Sequence, residues 1–165
     1  MIAKYLENNK IIMGAEPKAD RFDTSQASDV VRADGCESIV FTVWTGASAD
    51  NTNTIAAQSC DNVTPDTATA IPFMYKKTIS GDTETVKATA VAAGSTIAMT
   101  ASTANQFITI EIDPADVEAA NSHAGDRYCR ILVTEAGNAG AQLGAITCVR
   151  NGEFNAQAIL PTKIV

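Results

Sequence analysis

In Phe107-Ile108-Thr109-Ile110-Glu111-Ile112, apolar and polar side chains alternate from Ile108 onward. Successive side chains of a strand point to opposite faces, so Ile108, Ile110 and Ile112 share one face. A helical period of 3.6 would scatter the same three isoleucines around a cylinder. Outward from this stretch the pattern recurs. Arg127–Thr134 turns Cys129, Ile131 and Val133 inward and Tyr128 and Arg130 outward. Thr85–Val91 sets Val86, Ala88 and Ala90 against Lys87 and Thr89. Ser38–Thr45 is apolar on both faces, with Ile39, Phe41 and Val43 on one and Trp44 on the other. That predicts a central strand covered on both sides. Further strands are expected near Lys10–Met13, Asp29–Arg32, Thr54–Ser59, Ile71–Thr78 and Gly144–Arg150.

Turn-forming clusters separate these runs: Ala33-Asp34-Gly35, Gly46 to Asn53, Asp61 to Asp66, Ser80-Gly81-Asp82 and Gly137 to Gly140. Ser80-Gly81-Asp82 reads as a hairpin turn, with Gly81 free to take the positive φ that tight turns require. One short helix is signalled from Asp113 to about Ser122. Asp113 suits the N-cap, Pro114 the first helical position, and Asp116 the positive end of the helix dipole. Many short strands with turns between them indicate an all-β fold, a β-sandwich or jelly-roll-like barrel of about eight or nine strands. At 165 residues the chain has the length of one domain. The expected division is an N-terminal arm over 1–22, a β core over 23–150 and a C-terminal arm over 151–165. Edge strands of the same domain are the alternative for both ends.

Hydrophobic residues make up 45% of the chain and charged residues 19%, a globular balance. Aromatics are only 5%, so a core of Ala, Val, Ile and Thr is thin per residue and invites burial against neighbouring subunits. The formal net charge of −7 argues against nucleic acid as a direct partner, which would demand clustered Lys and Arg. Lys76-Lys77 is the only adjacent basic pair. Met1 to Ile12 carries Lys4, Glu7 and Lys10 and does not read as a secretory signal. No stretch approaches the roughly 18 uninterrupted apolar residues of a membrane span.

Chemistry-bearing patterns are sparse. Cys36, Cys60, Cys129 and Cys148 are widely spaced with no C-x-x-C pair, which disfavours zinc, and four reduced thiols are expected. His123 is the single histidine and stands in a polar stretch with no G-x-S-x-G nucleophile elbow anywhere. Asp113, Asp116 and Glu118 cluster because they open a helix. Asp61-Asn62-Val63-Thr64-Pro65-Asp66 is oxygen-rich but lacks the order of a calcium loop. No glycine-rich phosphate loop is present. No catalytic residue, cofactor or metal site is therefore expected. The candidates left are for partner contact. Arg127 and Arg130 flank Tyr128 at a strand entry, suited to acids across an interface or to pinning their own strand. Phe154, Ile159, Leu160 and Ile164 make the last stretch apolar, and Pro161 keeps it from being a central strand.

The order of "DGCESIVFTVWTGA" (34–47), "AAQSCDNVTPDTATAI" (56–71), a middle hairpin, "QFITIEI" (106–112) and "AGDRYCRILVTEA" (124–136) resembles small bacteriophage virion proteins encoded among head genes. These include capsid cement or decoration subunits. The resemblance spans about Asp29 to Arg150 and rests on the layout of strands and turns, so it transfers no functional residue. It implies a β-sandwich or jelly roll bound to the major capsid protein as a homodimer or homotrimer. Such a subunit would be made in the host bacterial cytoplasm and sit on the capsid surface. A tail or head-completion subunit is the alternative within virion assembly. A carbohydrate-binding or adhesin module is the alternative of another class, and it would need an exposed aromatic platform.

Overall fold

The computed structural model describes residues 9–19, 21–22, 24–47, 53–79, 87–99, 105–120, 127–135 and 143–152. Its strands form one long antiparallel ribbon rolled upon itself. The outermost rung pairs β1 (Asn9–Lys18) with β12 (Gly144–Asn151). The next sets β2 (Gln26–Ala27) and β3 (Val31–Arg32) against β11 (Tyr128–Thr134). β4 (Ser38–Thr45) follows with β10 (Gln106–Ile112), and β5 (Thr54–Cys60) with β9 (Ile97–Ala98). The ribbon's tip holds β6 (Ala68–Ile71), β7 (Phe73–Ile79) and β8 (Thr89–Val91). Rolling closes β12 onto β4 and β11 onto β5.

Two antiparallel sheets result. Sheet one runs β1-β12-β4-β10-β7-β8 and sheet two β2-β11-β5-β6, with β3 also on β11 and β9 also on β5. Early and late strands interleave in both, the order that a doubled and rolled ribbon must produce; this is a jelly-roll β-sandwich. The all-β expectation holds. Twelve strands appear among the described residues, more than the eight or nine expected. Pro72 divides the Ile71–Thr78 run into β6 and β7, since proline offers no ladder donor. Two of the extra strands, β2 and β9, are two-residue rungs too short to show periodicity, and β3 falls within the expected Asp29–Arg32 strand.

The inner faces are those the alternation predicts. Ile108, Ile110 and Ile112 lie opposite Val43, Phe41 and Ile39, all fully buried. Ile146 and Cys148 meet Val43 and Phe41 from the other side. Sheet two contributes Cys129, Ile131 and Val133 across from Ser59, Ala57 and Ile55. Each fully buried Ile or Val contributes roughly 1.5–3 kcal/mol, and none carries a polar atom that burial would strand.

Several expectations need correction. For the N-terminal end, Asn9–Lys18 forms the edge strand β1 of the sandwich, the alternative left open beside an arm. The β8 face is inverted: Val91 is buried while Thr89 and Ala90 are exposed, because the register places Val91 opposite the inward Phe73. The Ser80–Asp82 turn lies outside the described residues. β4 is central, yet only one of its faces is closed. Its outer side shows Val40 and Thr42 half-buried and Trp44 50% exposed. No third layer among the described residues covers sheet one.

The short helix α1 (Pro114–Ala120) contacts β5 and β6 of sheet two instead. The Asp113 carboxylate accepts a hydrogen bond from the Ala115 amide at 2.8 Å, the N-cap expected of it. The Ser59 hydroxyl donates to the Val117 carbonyl at 3.1 Å, satisfying one of the acceptors a helix end leaves open. At the opposite end of the sandwich, the Asn53 side chain donates to the Phe22 carbonyl at 2.8 Å. The Asn53 carbonyl accepts from Met99 N at 2.7 Å. Three connections are thereby tied together over the buried Phe22 ring.

Ile110→Asp or Ile131→Asp should abolish the folded state, because each places an unpaired charge where the native side chain is fully buried. Circular dichroism that keeps native β signal in either variant would contradict the assigned faces. Gly144 packs so closely on Phe22 that a Cβ there would meet three ring atoms within 3.0 Å. Gly144→Ala should cost about 1–3 kcal/mol in urea unfolding. Adding Phe22→Leu should recover part of that loss, a coupling expected of residues in contact.

Candidate interaction surface

An antiparallel sheet with one face in the core usually turns polar side chains to water on the other. The outer face of sheet one departs from this over half its width. Cross-strand register arranges it in three rows. One row holds Ala145, Trp44, Phe107 and Thr78. The next holds Met13, Thr147, Thr42, Thr109 and Lys76. The third holds Ile11, Val149, Val40, Glu111 and Met74. The charged members, Glu111 and Lys76, sit on β10 and β7. The β1–β12–β4 half carries none, on a chain whose net charge is −7.

The first row deepens into a groove of about 550 Å³ bounded by Met13, Pro17, Trp44, Phe107, Leu143 and Ala145. Thr78, Asn105 and Thr147 add polar atoms at its margin. Trp44 and Phe107, neighbours across β4 and β10, contact edge to face with centroids 4.4 Å apart and planes at 86°. Leu143 is held beside β4 by the hydrogen bond from Gly46 N to its carbonyl at 2.7 Å. Ile11, Met13, Trp44 and Leu143 are each at least half exposed. Large apolar side chains scattered singly over a surface need no explanation, but a contiguous set does.

Arg127 and Arg130, singled out from sequence, fall elsewhere. Arg127 pairs with Glu118 of α1 at 3.4 Å, both exposed. Arg130 donates to Gln58 Oε1 at 2.9 Å, directly across the β11–β5 ladder. Both therefore engage partners within the sandwich. Phe154, Ile159, Leu160, Ile164 and His123 lie outside the described residues. A second, acidic hollow of about 330 Å³ gathers Glu37, Glu111, Asp113 and Asp116. Among the described residues no group of His, Cys, Asp and Glu is placed to hold a metal ion, and no helix is long and apolar enough to cross a membrane. The groove is hidden in the sequence because apolar residues on both sides of β4 predict two buried faces, with Trp44 on the second. The signal, apolar residues on both sides of one strand, was nonetheless present.

The four cysteines are buried thiols. Burial pushes the Cys148 thiol up to about 12, with the Arg150 guanidinium opposing. It also raises Cys129 well above the ordinary value, the neighbouring Cys148, Cys60 and Cys36 adding to the effect. Such thiols stay protonated near neutrality and are poor nucleophiles. A pKa raised in the folded state stabilises below the unfolded value of 9.0 and loses that contribution as pH climbs toward 12. The melting temperature should accordingly fall across that window, and fall less steeply in Cys148→Ala. Equal slopes for the two proteins would show that this thiol does not titrate with unfolding.

No protein-family model matches the chain, nor does any curated protein. Among solved structures it is similar to the SPBc2 prophage-derived protein YomS, at TM-score 0.45 and 11% identity over 86% of this chain and 92% of that one. The coat protein of Tobacco streak virus gives TM-score 0.30 and 11% identity over 98% and 95%. A Bacillus endospore appendage pilus protein gives 0.29 and 12% over 87% and 86%. Likenesses this distant do not bear on what the chain does.

Proposed function

We propose that the chain is a structural subunit of a bacteriophage virion, of the capsid cement or decoration kind. The observation that carries this reading is the uncharged, apolar half-face of sheet one around Trp44 on an otherwise acidic molecule. A surface of that kind is suited to close contact with protein, since like-charge repulsion between acidic copies is least there. In this reading the subunit catalyses nothing, associates with itself as a homodimer or homotrimer, and binds the major capsid protein on the outside of the shell. Phe154, Ile159, Leu160 and Ile164 supply further contacts to neighbours, as do Arg127, beside Glu118 of α1, and Arg130, beside Gln58 of β5. Repetition over a symmetric shell would turn many weak contacts into avidity. A tail or head-completion subunit would use the same surface to close a ring. The carbohydrate-binding alternative gains less support, because Trp44 and Phe107 stand perpendicular and present no shared flat platform to a sugar.

Cosedimentation with capsids assembled without the protein tests the proposal. Saturable binding at a fixed ratio to the major capsid protein is expected, and a ratio of a few copies per particle would favour head completion. Deleting the residues after Gly152 should leave a folded domain with native circular dichroism that has lost self-association or capsid binding. A chain that neither self-associates nor binds capsids, yet is retained on an oligosaccharide matrix, would overturn the virion reading.

A further inference from the structure

Sheet one leaves an apolar groove open at the Gly144 end of β12, and the described chain stops at the other end of that strand. β12 is hydrogen-bonded to β1 on one edge and β4 on the other, so whatever follows Gly152 cannot pair with it as a hairpin. The Asn151 carbonyl still accepts the Glu37 amide at 2.8 Å, so at that residue the chain is heading along the sheet, away from the groove. Residues 153–165 follow, carrying Phe154, Ile159, Leu160, Ile164 and Val165 with one acid, Glu153, and one base, Lys163. Fully extended they reach about 45 Å, against about 24 Å for the span of β12 between Asn151 and the groove. Pro161 within them disfavours ladder pairing and favours side-chain insertion.

We infer that the groove beside Trp44 receives the apolar segment 153–165 of a neighbouring copy. This rests on the reading of the chain as an assembling subunit and names the surface that receives it. The chemistry matches on both sides: an uncharged apolar trough and a segment with balanced charge, within a chain of net charge −7. Because each subunit carries one groove and one such segment, every copy both gives and takes. Two copies that exchange segments close a two-fold dimer, and a head-to-tail succession closes into a ring such as a trimer where the rotation permits.

Trp44 is the single tryptophan of the chain, so intrinsic fluorescence reports the groove alone. The experiment uses full-length chains. One variant, Leu143→Glu, spoils the groove and keeps the segment. A second, Ile159→Glu with Leu160→Glu, spoils the segment and keeps the groove. The unmodified chain should associate in sedimentation, with its emission moving to the blue as concentration rises. Each variant alone should lose about tenfold or more in association, or about 1.4 kcal/mol. An equimolar mixture should regain a heterodimer, with the blue shift arising from the variant whose groove is intact. A mixture that stays monomeric overturns the inference. So does blue-shifted emission from chains that sediment as monomers, which would place the segment on its own subunit. Association of Leu143→Glu at normal strength overturns the groove as receptor while leaving the subunit reading standing. Failure of the unmodified chain to associate or to bind capsids would remove that reading as well.

Discussion

β4 is hydrogen-bonded along its length on both edges, from Ser38 to Thr45 with β12 and from Ile39 to Thr45 with β10. β10 is its mate in the ribbon, while β12 reaches it only after the ribbon has rolled. The double pairing therefore closes the sandwich, and it sets the register of everything attached to it. Ile39, Phe41 and Val43 can face sheet two only if β10 and β12 present Ile108, Ile110, Ile146 and Cys148 at the same level. A slip of one residue would send all of them to the outer side.

The same constraint produces the interaction surface. Strand alternation ties the two faces together: fixing the odd-numbered residues of β4 inward forces Val40, Thr42 and Trp44 outward. β12 and β1 follow suit with Ala145, Thr147, Val149, Ile11 and Met13. The outer face is thus as well organised as the core, although nothing among the described residues covers it. A thin, aromatic-poor interior and an uncovered apolar exterior fit one account, in which part of the burial available to this chain is realised between molecules.

The two ends of the sandwich differ in how they are closed. Near Gly144, Phe22 plugs the barrel and Asn53 binds neighbouring connections through backbone groups. Near Asn151 the four thiols, α1 and the Ser59–Val117 bond close the other end. Cys60, Cys129 and Cys148 act there as small apolar side chains, since burial raises their pKa and keeps them protonated.

What sequence alone determined was local. The alternation in Gln106–Ile112, Arg127–Thr134 and Ser38–Thr45 specified strands and their inner faces, and Asp113-Pro114 specified the helix start, because strand side chains and N-caps obey short-range geometry. Where periodicity ran out, at the two-residue strands β2 and β9 and at the inverted β8, only pairing partners could decide. Arg130 likewise had no visible partner until the β11–β5 register set Gln58 across from it. The tertiary structure alone decided that the second apolar face of β4 is open, not buried. A strand's composition states that a face needs cover, but whether a layer of the same chain supplies it depends on where rolling places every other element. Here α1 went to sheet two, and Trp44 was left facing outward.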